Sequence, residues 1–291
     1  MGNRLLRQFQ GTLIGSFIAG KLGNYPKYEA WWLIMQQKIT ARLIERGELS
    51  QEDWQMIIPS ESGKNKSLPT GELTLGILPL IVFLFDTPYL LREQLQPLIN
   101  LEQLSSQKIE DMLLWSELLG QLLSVKSLAN STDNQPWQQI NVFLAQGTPL
   151  MEVKTYFKQQ VTPEQFKMLL SVYCFRNNPE DFRLGVLRAT QTGDAVITAL
   201  TGALAGAYNG IKGIPLHWRL GISDPDKGAS MQEQVKQLWA KWAGVYSPEQ
   251  VHQEWETHEI TSALIGQKYP TKRLISQKEY LRLSAIALDK H

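Results

Sequence analysis

The side chains that could do chemistry in this chain are few and far apart. Asp194 follows Thr192 and Gly193 directly ahead of an Ala- and Gly-rich stretch. A carboxylate is favoured there by a helix dipole and by the open amides of a first turn, so Asp194 reads as a helix N-terminal acid. Glu61, Glu72 and Asp133 fall in or beside turn-rich segments. They could pair as acids, but no spacing rule links them, and solvated loop acids are the expectation. His217, His252, His258 and His291 form no HxxH or HxxxH pattern and stand beside no cysteine, so no zinc site is indicated. Ser16 and the single cysteine, Cys174, lack the context of a catalytic nucleophile. There is neither a G-x-S-x-G elbow nor a phosphate-cradling glycine loop. Cys174 lies in an apolar run, 169–175, and is expected to pack rather than react.

The elements that must position these residues are helices. Gly202, Gly206 and Gly210 recur every fourth residue beside Ala199 and Ala203, leaving one helix face almost without side chains. Each interior glycine costs roughly 1 kcal/mol against alanine, so tight packing or close approach of a ligand is the expected reason. Gly11, Gly15, Ala19 and Gly23 repeat the pattern near the N-terminus, and the two glycine-faced helices are predicted to lie close together or share neighbours. Ser50, Thr162, Asn178 and Ser247 each offer a capping side chain, with proline at the first helical position after the last three. Asp86-Thr87-Pro88 opens another helix, with Leu90, Leu91, Leu95 and Leu98 at helical spacing, and 112–128 continues that periodicity. Loops are expected at 59–70, 129–136 and 222–230. No sustained alternation of β-branched residues occurs, so the fold is predicted to be all-α. Trp239 and Trp242, three apart, share a helix face and would anchor either the core or a partner.

Composition narrows the partners. Lys+Arg of 29 against Asp+Glu of 28 leaves a formal charge of +1, which offers no footprint for nucleic acid or an anionic membrane. The basic, apolar N-terminus superficially suggests a signal peptide, but its glycine spacing favours a core helix. The most hydrophobic stretch, 73–85, is interrupted by Pro79 and falls short of the ~20 residues needed to span a bilayer. A cytoplasmic, bacterial protein is the expectation.

The run "GALAGAYNGIKGIP" from Gly202 to Pro215 resembles the late signature of the ADP-ribosylglycohydrolase family. That signature begins with an Asp-Thr-Asp-Thr-like metal motif. Its two aspartates fall on Gly193 and Ala195, the intervening threonine on Asp194, and the following hydroxyl position on Val196. Residues 11–23 resemble the family's opening segment, with its Gly-Asp-Ala falling on Ala19, Gly20 and Lys21. No Asp-Asp-Thr triplet occurs in 24–30. Residues 70–80 resemble the family's "NG..MR..PL" segment near the nucleotide, with the arginine position on Gly76, and the Thr-His pair is missing around 100–106. "NNPEDFRLGVLRA" (177–189) agrees with the family's approach helix.

The resemblance implies a single-domain orthogonal multi-helix bundle over 8–245, followed by a partly mobile C-terminal appendage, 246–291. In the family, two magnesium or manganese ions held by carboxylates grip the ribose of ADP-ribose and position a hydrolytic water. With those carboxylates replaced, the resemblance implies a degenerate member, a pseudoenzyme that binds a protein partner or an ADP-ribose-like nucleotide. No cofactor, metal or catalytic residue is predicted. Thr192, Gly193, Asp194 and Glu72 are the ligand-pocket candidates. The alternative is an active hydrolase with a relocated metal, in which Asp194 becomes a ligand if the alignment slips by one residue.

Overall fold

The computed structural model describes residues 2–24, 31–58, 68–124, 135–220 and 225–244. Among these the chain forms fourteen helices and no strand. In order they are α1 (Gly2–Leu22), α2 (Trp31–Arg46), α3 (Gln51–Ile57), α4 (Thr70–Gly76), α5 (Leu78–Phe83), α6 (Pro88–Glu102) and α7 (Ser106–Leu123). There follow α8 (Gln135–Gln146), α9 (Leu150–Gln160), α10 (Pro163–Asn177), α11 (Phe182–Thr190), α12 (Ala195–Gly213), α13 (Leu216–Leu220) and α14 (Pro225–Trp242). The all-α expectation holds. The predicted appendage, 246–291, lies outside the described residues.

The two glycine-faced helices, α1 and α12, make the most extensive helix pair among the described residues. They run antiparallel. Gly23 meets Ala195, Gly15 meets Gly202, Gly11 meets Gly206, and Arg7 meets Gly210. A methyl added at Gly206 would collide with the Gly11 carbonyl oxygen. One added at Gly15 would stand 2.6 Å from the Gly202 carbonyl oxygen. The glycines therefore let one backbone rest on the other, a distance no side chain permits. At Gly210 the backbone of α12 departs from helical geometry (φ 65°, ψ 178°), a conformation essentially confined to glycine. The Gln8 amide donates to the Ala207 carbonyl at 2.8 Å and to the Leu122 carbonyl at 3.0 Å, tying α1 to α12 and α7 beside this kink.

Around this pair the core is filled by Trp32, Trp54, Trp115, Tyr173, Phe9, Phe157, Phe175 and Phe182, all fully buried. Trp239 is buried and the Trp242 ring packs on Phe9 and Phe85, so both tryptophans anchor α14 to the core. Cys174 packs as expected, and burial pushes its thiol up to about 12. No described helix is long and apolar enough to cross a membrane.

Several helix starts were legible. Ser50 forms a capping box with Asp53, and Thr162 accepts from the Gln165 amide ahead of Pro163. Two expectations are corrected. The helix expected to start at Asn178 starts at Phe182, because Asp181 caps the Leu184 amide at 3.0 Å while the Pro179 carbonyl is held by Asn209. The segment expected to be a loop at 222–230 is helical from Pro225, a residue whose fixed φ suits the first helical position.

Backbone-on-backbone packing makes a sharp prediction. Gly206→Ala should cost about 3 kcal/mol, since neither helix backbone can yield, whereas Gly185→Ala has only ordinary contacts at 3.8 Å and beyond. The latter should be neutral or stabilising by up to about 1 kcal/mol. Urea unfolding of both variants checks the contrast.

Candidate functional site

α11 ends at Thr190, the chain turns through 191–193, and Asp194 caps α12. Gly193 makes the turn with φ +73°, and a Cβ there would meet nothing within 4 Å, so the space over it is open. The buried Thr192 hydroxyl donates to the Ala189 carbonyl at 2.7 Å and accepts from the Asp194 amide at 3.2 Å. Asp194 Oδ1 accepts from the Val196 amide at 2.8 Å and the Ile197 amide at 3.2 Å. Its Oδ2 faces the Lys167 ammonium at 3.1 Å. The Lys154 ammonium donates to the Thr192 carbonyl at 2.8 Å. Two cations from α9 and α10 thus converge on one three-residue turn.

The start of α4 adjoins this corner. A methyl at Gly71 would come within 2.8 Å of Val196 Cγ1 and 3.7 Å of the Lys167 stem. Glu72, the next residue, accepts a hydrogen bond from the Trp31 indole. Of the sequence candidates, Thr192, Gly193 and Asp194 therefore form one turn, and Glu72 stands beside it with its carboxylate engaged by Trp31. Glu61, Asp133, His252, His258 and His291 lie outside the described residues. At Gly20, where the resemblance places a family acid, an added Cβ would stand 3.3 Å from the Trp32 ring and 3.5 Å from Ala199 Cβ. At Gly76, the family's arginine position, any side chain would run into Met35.

These donors do not fit a divalent metal. Such an ion wants several free oxygen ligands, and its charge must be compensated by anions. Here the one carboxylate is spent on two amides and an ammonium, and a second ammonium lies alongside. Among the described residues no group of three or more His, Cys, Asp or Glu is placed to hold a metal.

Sequence reasoning missed Lys154, one of two lysines in α9, and Lys167, the lysine of α10. It also missed Asp111, a buried carboxyl on α7 that accepts from Gln165 at 2.8 Å and Gln107 at 3.2 Å. Burial pushes its carboxyl above the ordinary range, against those hydrogen bonds.

The ADP-ribosylglycohydrolase family model matches residues 91–248, over half of the chain and a span that includes the Thr192–Asp194 turn. The chain belongs to this family. No curated protein matches it.

Two substitutions test the capping role of Asp194. Asp194→Ala should lose about 1 kcal/mol of stability through the helix cap, while Asp194→Asn keeps the acceptor and should lose about 0.5 kcal/mol or less. Chemical denaturation distinguishes the two. Asp111 makes a pH prediction of opposite sign to a paired acid. Above 3.8 the folded state keeps a proton that the unfolded chain releases, so stability falls as pH rises toward the elevated folded value. Asp111→Asn should flatten that decline and be at least as stable as the native chain near neutrality, as unfolding followed across pH would show.

Proposed function

We propose that this member of the family has lost metal-dependent removal of ADP-ribose from proteins and acts by binding a nucleotide-like or protein ligand. The observation that carries the reading is the state of Asp194. Both its oxygens are engaged, one by the first amides of α12 and the other by Lys167. The flanking positions, Gly193 and Ala195, are those onto which the family's two metal aspartates align, and neither has a ligating side chain. Gly193 moreover sits in left-handed backbone, which an aspartate tolerates less readily than glycine.

The retained features support a binding role. The turn remains open over Gly193, and it is rigidly held by Thr192, Asp194 and Thr198, whose hydroxyl donates to the Asp194 carbonyl at 2.9 Å. A rigid, open turn at the edge of a packed bundle can present fixed donors to a ligand without any hydrolytic water being activated.

The test is an assay of ADP-ribose release from ADP-ribosylated protein, with magnesium or manganese and with chelator. Release at the level of the chelated control is expected. Release that rises with either metal overturns the proposal in favour of an active hydrolase.

A further inference from the structure

Asp111 is a buried carboxyl that neither the glycine-faced helix pair nor the Thr192–Asp194 turn uses. It is 1% exposed and sits where the N-terminal turns of α7, α8 and α10 meet. Its Oδ1 accepts from the Gln165 amide of α10 at 2.8 Å and from the Gln107 amide of α7 at 3.2 Å. The buried Trp137 indole N–H, in the first turn of α8, bears on the same carboxyl and has no hydrogen bond of its own among the described residues. These donors are all neutral. The surrounding helices add little charge of the opposite sign. α8 has no titratable side chain, and α4 has only Glu72, held by Trp31. The first turns of α10 bring Glu164 and a Lys167 already paired with Asp194. α7 brings Lys108 and Glu110, and the charge that bears most on Asp111 is that of Glu110, of like sign. An ionised carboxylate buried among neutral donors calls for water, and burial holds this one above the ordinary range despite its hydrogen bonds. α7 and α10 are ill placed to admit water, since both pack on α12, on α4 and on each other. α8 packs chiefly on α10 and turns Gln135, Gln138, Val142 and Gln146 outward.

We propose that Asp111 is a proton-operated latch for α8: with its proton it seats Trp137 and keeps α8 down on α10, and on ionisation the Trp137 end of α8 lifts to let water reach the charge. The step is loss of one proton to solvent, with no other bond in the chain broken. The far end of α8 stays tethered, because Phe143 packs edge-on against Tyr156 and Phe157 of α9 and Asn141 accepts from Arg176. The latch stands apart from the question of whether the family's hydrolysis is lost.

Hydrogen exchange of the full chain between about pH 4 and about pH 7, corrected for the intrinsic chemical rate, tests this. Protection of peptides from 135–140 should fall about tenfold or more as pH rises, the amount that one unit of difference between the closed and open carboxyl gives. At each pH these peptides should be less protected than α1 and α12 and nearly insensitive to low urea, the mark of a local opening. In Asp111→Asn, which still accepts from Gln165 and Gln107 but cannot ionise, their protection should not depend on pH. Circular dichroism confirms that the variant folds, and the contrast of α8 with α1 and α12 in the native chain carries the test if it does not. Protection of 135–140 that is constant with pH in the native chain, or that falls equally in the folded variant, overturns the latch. So does exchange of 135–140 with the protection and urea dependence of α1 and α12, which assigns the proton release to global unfolding.

Discussion

The contact between the Gly11 carbonyl and the Gly206 backbone is the constraint from which the rest of the molecule is built. Two helices can lie this close only where neither has a Cβ, and the spacing of four residues repeats that condition along the whole antiparallel pair. Once α1 and α12 are locked, the N-terminal end of α12 is set against Gly23 and Gly71, and the turn that caps it has one place to be. α10 and α11 pack on the same helix, so Lys167 and Thr192 are brought to that turn by the scaffold rather than by local sequence. The cost of so many glycines in helices is offset by packing that extends from Arg7 to Gly23 on one side and from Ala195 to Gly210 on the other.

The corner joins a rigid frame to a small set of charges. A dimetal centre demands an excess of carboxylates, whereas this turn has one, already spent on capping. The positive charge at the turn is tethered on two side chains, Lys154 and Lys167. A tethered ammonium neither polarises a water as a divalent ion does nor needs several anions to hold it. In this member of the ADP-ribosylglycohydrolase family the packing residues lie on the glycine faces and in the aromatic core.

Legibility followed locality. The cap at Ser50, the Thr162-Pro163 start and the glycine periodicities were readable because each depends on residues within one or two turns. The start at Asn178 was misread because two signals competed over four residues, and the tertiary bond from Asn209 to the Pro179 carbonyl favoured the later one. Lys154, Lys167 and Asp111 were invisible for a different reason. Nothing in "EVKTY" or "QFKML" distinguishes a lysine that meets a distant turn from one in solvent, and Asp111 acquires its burial from the packing of α7 against other helices, with Gln165 of α10 bonded to it.

By itself the sequence determined the helical class and the close pairing of two glycine-faced helices, and its motifs resemble those of the family to which the chain belongs. The helical class and the pairing follow from residue types at fixed short spacings. Only the tertiary structure decided that Asp194 is spent on a cap and an ion pair, that Glu72 answers to Trp31, and that two lysines from separate helices share one turn. Charges act through space, and the distances that govern them are created when the helices pack.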